Sequence, residues 1–184
     1  NKNRFGEVNE LGVFAMTELG LKEVKNPSAI FLSKYEKEVS GSSLLVTKEG
    51  SRPLIVEIQA LVSETNSDIA RRICIGLDRD RLSLLMAILQ KTLRSKFYKY
   101  DVYVSIVGGV RVAETASDVA LAMALLSSEN EVPLPRDSCF FGEIGLTGEI
   151  RPVPNGEERI KEAVEEELFE KIEILKAENS LLKL

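Results

Sequence analysis

The sequence has no histidine, no tryptophan and only two cysteines, Cys74 and Cys139. Without histidine, hydrolysis by a serine-histidine-aspartate triad and metal sites built on imidazole are excluded. The cysteines lie far apart and show no Cys-x-x-Cys spacing, so no zinc site or disulfide framework is indicated. Two unpaired thiols suit a reducing compartment. There is also no signal peptide and no apolar run of about 18 residues, so the sequence predicts a cytoplasmic protein without membrane contact.

What is present is typical of a folded domain. Of the 184 residues, 44% are hydrophobic and 29% are charged, which predicts one compact domain with its own core. A nucleotide-binding P-loop is absent, and residues 107–110 (VGGV) are too short to enclose a phosphate and predict a tight turn. Because the chain begins at Asn1 rather than methionine, we expect it to be a fragment of a longer protein.

Charge is distributed unevenly along the chain. The formal net charge is −5, but residues 71–99 carry a local net charge of +6 and residues 157–178 a local net charge of −5. Two interpretations remain open at this point: two solvated helix faces, or a phosphate-binding region beside an acidic region that keeps the molecule soluble. The basic residues of the first segment are Arg71, Arg72, Arg79, Arg81, Lys91, Arg94, Lys96 and Lys99.

Apolar alternation predicts the strands. Residues 43–47 and 54–63 flank a Lys-Glu-Gly-Ser turn and indicate a β-hairpin with one buried face. Further strands are predicted for residues 11–16, 102–107, 139–144, 149–153 and 172–175.

Helical spacing predicts three helices and a short turn. One begins after Asp78, one covers residues 119–127 behind a capping box of Thr115 and Asp118, and one begins after Asn155. Residues 21–24 indicate a single helical turn. Hairpins and few βαβ repeats together predict an α+β domain in which mixed sheets pack against helices in two layers.

Four motifs occur in order along the chain: KNRFG at residues 2–6, GLDRDRL at 76–82, VGGVRV at 107–112 and FGEIGLTGEIRPVPNG at 141–156. Together they resemble the carboxyl-terminal part of the RadA (Sms) family of bacterial DNA-repair proteins. The resemblance implies that residues 1–8 are an arm or linker and that residues 9–184 form a Lon-protease-like domain with a ribosomal-protein-like fold. It also implies a four-cysteine zinc module and a RecA-like ATPase in the full-length protein, both missing from this chain.

The resemblance to Lon allows a test for proteolysis. Aligned with the Lon motifs, the catalytic serine position falls on Asp118 and the lysine position on Glu157, or on Glu158 if the register slips by one. Neither residue can take part in a Ser-Lys peptidase dyad. A relocated dyad of Ser117 and Lys161 is a poor alternative, because one residue along a helix rotates a side chain by about 100°.

The resemblance further implies a homo-oligomer, most simply a hexameric ring, that supports an ATPase motor. In the family the KNRFG motif lies close to the ATPase domains; here it is Lys2, Asn3, Arg4, Phe5 and Gly6, with Lys2 and Arg4 as the phosphate-binding side chains. No cofactor is implied for this chain, whereas ATP, magnesium and zinc are implied for the full-length protein. A recombinase is a further partner that the resemblance allows.

For DNA contact within the domain, Arg71 and Arg72 are the first candidates, because they adjoin a polar loop and nothing nearby in sequence neutralises them. Arg79 and Arg81 compete with them, although pairing with Asp78 and Asp80 or contacts between subunits would also explain them. The sequence therefore predicts a non-peptidase domain that oligomerises and binds branched or single-stranded DNA. A peptidase with a relocated dyad and a purely structural ring-forming domain are the alternatives.

Overall fold

The computed structural model describes residues 14–17, 20–23, 32, 37–49, 52–135 and 138–165. Its first elements are a short antiparallel hairpin of β1 (Phe14–Thr17) and β2 (Gly20–Glu23). The prediction of a helical turn at residues 21–24 is wrong for residues 21–23, because these residues pair with β1. Gly20, with φ of +105°, allows the tight connection between the two strands.

The predicted central hairpin is confirmed. β3 (Ser42–Glu49) and β4 (Arg52–Glu64) pair in antiparallel register, with Leu45 opposite Val56. Both residues are completely buried. The hairpin is the middle of the larger sheet in the described residues.

Three more strands complete that sheet. β4 pairs antiparallel with β6 (Tyr100–Ile106), and β6 pairs parallel with β5 (Arg72–Ile75), which the sequence analysis missed. On the other side, β3 pairs parallel with β7 (Cys139–Phe140). The order of the strands is therefore β5-β6-β4-β3-β7, with β5 at one edge.

The predicted strand at residues 139–144 is broken in two. After β7 the chain leaves the sheet, and β8 (Glu143–Ile144) pairs antiparallel with β9 (Ile150–Arg151). The break lies at Gly142, whose N–H donates to the Ala116 carbonyl at 2.9 Å and whose carbonyl accepts from the Val119 N–H at 3.2 Å. A Cβ at position 142 would lie 2.8 Å from a Val119 methyl carbon, so glycine allows this close approach.

Two of the described helices cover one face of the sheet. α1 (Arg79–Leu93) begins at the predicted cap, where the Asp78 carboxylate accepts from the Arg81 N–H at 2.7 Å. α2 (Asp118–Asn130) is buried on nearly every side. The core residues that are at most 2% exposed include Leu45, Val56, Ile58, Leu82, Leu85, Leu89, Leu121 and Leu125, and burial of each contributes about 1.5–3 kcal/mol.

α3 (Gly156–Glu165) lies on the opposite face. Its Ala163 packs with Val46 and Ile55, whose side chains point away from the main core. The described residues are thus a mixed α/β arrangement compatible with the predicted α+β class, with a third layer over part of the sheet. The arm at residues 1–8 and the strand at residues 172–175 lie outside the described residues.

Candidate functional site

One turn of 3-10 helix, Thr115–Ser117, leads into α2 and lies between two ion pairs. Glu114 stands before the turn and Asp118 after it. Each of the two carboxylates binds an arginine from a distant part of the chain. This turn adjoins Asp118, which was predicted from the sequence to stand at the serine position of a Lon-like dyad, so its contacts bear on what the site can do.

Asp118 is completely buried, and both of its carboxylate oxygens are occupied. Arg81 Nε donates to Oδ1 at 2.8 Å, and Arg81 Nη2 forms an ion pair with Oδ2. Oδ2 also accepts from the Ile144 N–H at 2.9 Å, while Arg81 Nη2 donates to the Ile144 carbonyl at 3.1 Å. The hydrogen bond to Asp118 raises the pKa of Arg81. The pair therefore joins α1, α2 and β8.

The predicted capping box is wrong. The Ser117 side chain makes no capping hydrogen bond to α2, and the Asp118 carboxylate is turned toward Arg81. Thr115 Oγ1 donates instead to Glu143 Oε2 at 3.0 Å. The sequence spacing fitted a cap, but a buried carboxylate without a charged partner is costly, so the arginine of α1 determines its orientation.

The second ion pair was not predicted. Arg159 of α3 is only 2% exposed, and its guanidinium donates to Glu114 Oε1 at 2.9 Å and to Oε2 at 2.5 Å. It also donates to the carbonyls of Val46 at 2.5 Å and Pro154 at 3.2 Å. This arginine lies 6.0 Å from the centroid of the Phe141 ring. α3 is thereby fixed to β3 through a buried cation.

Glu114 has two further donors. Thr47 Oγ1 donates to Glu114 Oε1 at 2.7 Å and the Lys48 N–H does so at 3.2 Å. Burial by itself raises the pKa of the Glu114 carboxyl, but the hydrogen bonds from Arg159 and Thr47 outweigh it and lower the pKa below its usual value. The only sequence signal for this pair was an arginine within the glutamate-rich segment that begins at Glu157.

The residues predicted to stand at the lysine position, Glu157 and Glu158, form no comparable buried ion pair with a described residue. Glu157 is exposed, and Glu158 binds Lys48 Nζ at 2.8 Å. Ser117 is 4% exposed, and its hydroxyl donates to the Glu114 carbonyl at 2.8 Å. Within the described residues no hydrogen bond joins Ser117 to Lys161, so the structure does not bring the alternative dyad together.

A cleft of about 180 Å³ adjoins the turn, lined among others by Leu77, Asp78, Arg81, Glu114 and Ser117. Ligand sites commonly measure about 300–1,000 Å³. Asp118 is not among the residues that line this cleft. Both of its carboxylate oxygens are already bound, so it is not placed to act there as a nucleophile or base. The arrangement joins chain segments together and offers little room for a peptide.

The predicted DNA-binding arginines have different environments. The Arg72 guanidinium donates to the carbonyls of Arg71 at 2.7 Å, Tyr100 at 2.5 Å and Phe97 at 2.7 Å. Burial lowers the pKa of Arg72. Arg71 is exposed, and its N–H donates to Asp101 Oδ1 at 2.7 Å. Arg72 therefore positions backbone, whereas the Arg71 side chain faces solvent.

The basic segment is divided between two ends of the fold. Arg79 and Arg81 start α1, which at 15 residues is about 22 Å long. The other cations lie in the last turn of α1 (Lys91), after it (Arg94, Lys96 and Lys99), or just before and at the start of β5 (Arg71 and Arg72), which runs parallel to β6. We call four exposed residues at this end the sheet-end basic surface: Arg71, Arg94, Lys96 and Lys99.

These four cations are not neutralised by side-chain contacts. In the part of the chain that the structure describes, none of them forms an ion pair within 4.0 Å. Two nearby carboxylates offset part of this charge: Asp101 accepts from the Arg71 N–H and interacts electrostatically with Arg71, and Glu129 accepts from the Lys96 N–H at 2.6 Å. The hydrogen bond from the Arg71 N–H lowers the pKa of Asp101. The surface therefore presents positive charge to solvent.

A larger cleft, of about 590 Å³, lies beside this surface, between the carboxyl-terminal ends of α1 and α2. Its lining is mixed and includes the apolar residues Leu93, Met123 and Leu126 and the polar residues Arg94, Lys96 and Asn130. The volume lies within the common range for ligand sites.

The sheet face opposite α1 and α2 is apolar and open near β5. Its exposed side chains include Leu61, Ile73 and Ile75, which are 46–58% exposed. Ile73 and Leu61 both lie opposite Tyr103 in the strand register. They line a groove of about 440 Å³. A large exposed apolar area of this kind is typical of an interaction surface.

Neither a metal-binding cluster nor a membrane-spanning helix occurs among the described residues. No group of three or more cysteine, aspartate or glutamate side chains in them is arranged to hold a metal ion. None of the helices among them is both long and apolar enough to cross a membrane. The KNRFG residues Lys2, Asn3, Arg4, Phe5 and Gly6 lie outside the described residues.

Comparison with known proteins gives relatives with one name, although no family model matches the chain. DNA repair protein RadA of Haemophilus influenzae is 58% identical over 163 residues, which cover 89% of this chain and 36% of that protein. The Escherichia coli protein of that name is 56% identical over 163 residues, covering 89% and 35%. The Rickettsia felis protein is 48% identical over 178 residues, covering 97% and 40%. The chain spans between about a third and two fifths of these relatives and matches their carboxyl-terminal segment.

Proposed function

Because the chain belongs to the RadA family of DNA repair proteins, we propose that it is a DNA-binding and oligomerisation domain without peptidase activity. The full-length protein is then a cytoplasmic repair ATPase that processes branched recombination intermediates. The ATP, magnesium and zinc of that protein belong to segments outside this sequence, so no residue here is assigned to them.

The sheet-end basic surface carries the DNA-binding part of the proposal. Arginine and lysine bind phosphate oxygens through charge-assisted hydrogen bonds, which position DNA without reading its sequence. Within the described residues no ion pair occupies its four side chains, so they are available to phosphate. As in the sequence prediction, Arg71 is the first proposed phosphate contact. Arg72, whose guanidinium binds backbone carbonyls, is instead assigned to orienting the surface. Lys96 and Lys99 are added as phosphate contacts.

The contacts of Asp118 and Ser117 support the lack of peptidase activity. Asp118 stands at the aligned serine position with both oxygens bound, and the Ser117 hydroxyl is buried against the Glu114 carbonyl. No observation favours a relocated dyad. A Lon-like fold agrees with the mixed sheet and with the order of strands and helices, and it stays part of this proposal.

The open apolar face near β5 supports the oligomerisation part. We expect a second copy of this chain to cover Leu61, Ile73 and Ile75, as in the hexameric ring that the family resemblance implies. A ring would bring several copies of the basic surface to one DNA molecule. Their combined binding would then exceed that of a single copy.

The test is DNA binding by the full chain after removal of charge. Arg71→Gln/Lys96→Gln/Lys99→Gln should weaken binding to duplex and branched DNA at 50–200 mM salt. The slope of log affinity against log salt should become shallower by about 0.9 for each phosphate that the variant no longer binds. Fluorescence anisotropy gives the affinities, and light scattering checks that the oligomeric state is unchanged.

A matched variant removes the same charge elsewhere. Lys37→Gln/Arg111→Gln/Lys161→Gln takes three exposed cations that are not part of the sheet-end basic surface and should leave the slope nearly unchanged. If both triple variants lower the slope equally, binding is a general effect of charge. If neither does in intact oligomers, a purely structural ring-forming domain becomes the better interpretation.

A further inference from the structure

The turn that precedes β6 presents an exposed aromatic ring inside the sheet-end basic surface. It is a single turn of 3-10 helix, Phe97–Lys99. Phe97 is completely buried in the main core, whereas its neighbour Tyr98 is 58% exposed. More than half of Tyr98 is therefore exposed to solvent, on the same turn as Lys99.

The backbone around Tyr98 is firmly attached. The Arg72 guanidinium donates to the carbonyls of Phe97 and Tyr100, on either side of the turn. The Lys99 N–H donates to the Lys96 carbonyl at 2.8 Å. The Lys99 carbonyl accepts from the Thr65 N–H at 3.2 Å. The backbone of the turn is thus fixed from β5, from the residue after β4 and from within, so the point of the chain that carries the ring is well defined.

One cation of the surface lies against this ring. Lys99 Nζ lies 5.6 Å from the centroid of Tyr98, close enough for a cation–π contact. Phosphate contacts from Lys96, Lys99 and Arg71 would place a nucleic-acid backbone next to the aromatic face. An exposed ring among cations is the combination with which proteins bind single-stranded nucleic acid, because every unpaired base offers a face for stacking.

We propose that Tyr98 is a stacking platform for an unpaired base, so that the sheet-end basic surface takes single-stranded DNA. This inference rests on the proposed function of the same surface. Inside a duplex both faces of a base are covered by its neighbours, so Tyr98 has nothing to stack on there. The cations contribute to binding of both DNA forms, and Tyr98 contributes to the single strand alone.

The experiment compares three full-chain variants on three DNA probes. The variants are Tyr98→Ala, Tyr98→Phe, which keeps the ring, and Leu146→Ala, which removes another exposed apolar side chain from the hairpin of β8 and β9. The probes are a labelled oligothymidylate, a strand of equal length with abasic sites in place of its bases, and a blunt duplex. Affinities are measured at one salt concentration, with the oligomeric state checked in parallel.

Tyr98→Ala should weaken binding to the oligothymidylate by about fivefold to a hundredfold. Its affinities for the abasic strand and for the duplex should stay unchanged, and Tyr98→Phe and Leu146→Ala should bind like the original chain. Equal oligothymidylate binding by Tyr98→Ala and the original chain would overturn the stacking role and leave the proposed function intact.

Other results contradict the proposal in distinguishable ways. Equal losses on all three probes would show that Tyr98 supports the surface rather than stacking. A change of oligomeric state in Tyr98→Ala would assign the ring to a subunit contact. If the original chain binds none of the probes, the proposed DNA-binding function fails together with this inference.

Discussion

The two ion pairs beside the Thr115–Ser117 turn bury opposite charges. In one, the anion Asp118 is completely buried and its partner Arg81 is 26% exposed; in the other, the cation Arg159 is 2% exposed and its partner Glu114 is 29% exposed. A buried charge needs partners for all of its polar atoms, and each pair meets this need with chain segments distant in sequence. Together the two pairs join α1, α2 and β8 on one side of the turn and α3 and β3 on the other.

The buried charges differ in what remains when the exposed partner is removed. Without Glu114, Arg159 still donates to the carbonyls of Val46 and Pro154. Without Arg81, Asp118 retains only the Ile144 N–H as a donor among the described contacts. The Asp118 pair should therefore be the more sensitive of the two to loss of its exposed partner.

The largest effect is expected for Arg81→Leu. The substitution leaves the Asp118 carboxylate buried without its cation, and it should lower the free energy of unfolding by about 3–5 kcal/mol. Urea unfolding followed by circular dichroism measures the change. Arg79→Leu, two residues earlier on α1 and exposed, is the control and should change stability by no more than about 0.5 kcal/mol.

Neutralising Asp118 should recover part of the stability that Arg81→Leu loses. Asp118→Asn combined with Arg81→Leu should be more stable than Arg81→Leu alone, because an amide is less costly to bury than an unpaired carboxylate. Additive losses in the double variant would show that Arg81 acts through packing rather than through its charge. The expected difference in sensitivity between the two ion pairs would then not be caused by the buried charge.

A smaller effect with a distinct pH dependence is expected for Glu114→Gln. At neutral pH the loss should be about 1.5–3 kcal/mol, since hydrogen bonds to a charged group are replaced by weaker ones. The folded-state pKa of Glu114 is lowered, so its carboxylate stabilises the fold above the unfolded pKa of about 4.3. That stabilisation is lost as the pH falls through the folded-state pKa.

The difference between the original chain and Glu114→Gln should therefore shrink as the pH is lowered from 7 to 3. Urea unfolding at a series of pH values gives both curves, and carboxyl groups common to the two chains cancel in the difference. A difference that is constant over this range would contradict the lowered pKa of Glu114.

The sequence predicted more of the fold than of the site. Alternation along β4 and the Asp78 cap of α1 are local signals, and both are confirmed. By contrast, β5 has only four residues, and two of them, Ile73 and Ile75, are exposed. So short a strand depends on its pairing with β6 and has little periodicity of its own.

Long-range pairing explains what was missed at the site. Arg81 and Asp118 are 37 residues apart, and Arg159 and Glu114 are 45 residues apart. Periodicity cannot show which charged residues meet across such separations. The spacing of Thr115 and Asp118 even predicted the wrong contact, because a capping box needs only neighbours whereas a buried ion pair needs the whole fold.

The smallest effect should come from the exposed ion pair of Lys48 and Glu158. Its 2.8 Å contact resembles those of the buried pairs in distance, but Glu158 is 54% exposed. Water already solvates both groups, so Glu158→Gln should shift the urea midpoint only slightly and less at 1 M salt than at 50 mM. Glu157→Gln, an exposed neighbour, is the matched control and should show no salt-dependent shift. If Glu158→Gln were as destabilising as Glu114→Gln, burial would not be what separates strong from weak ion pairs in this protein.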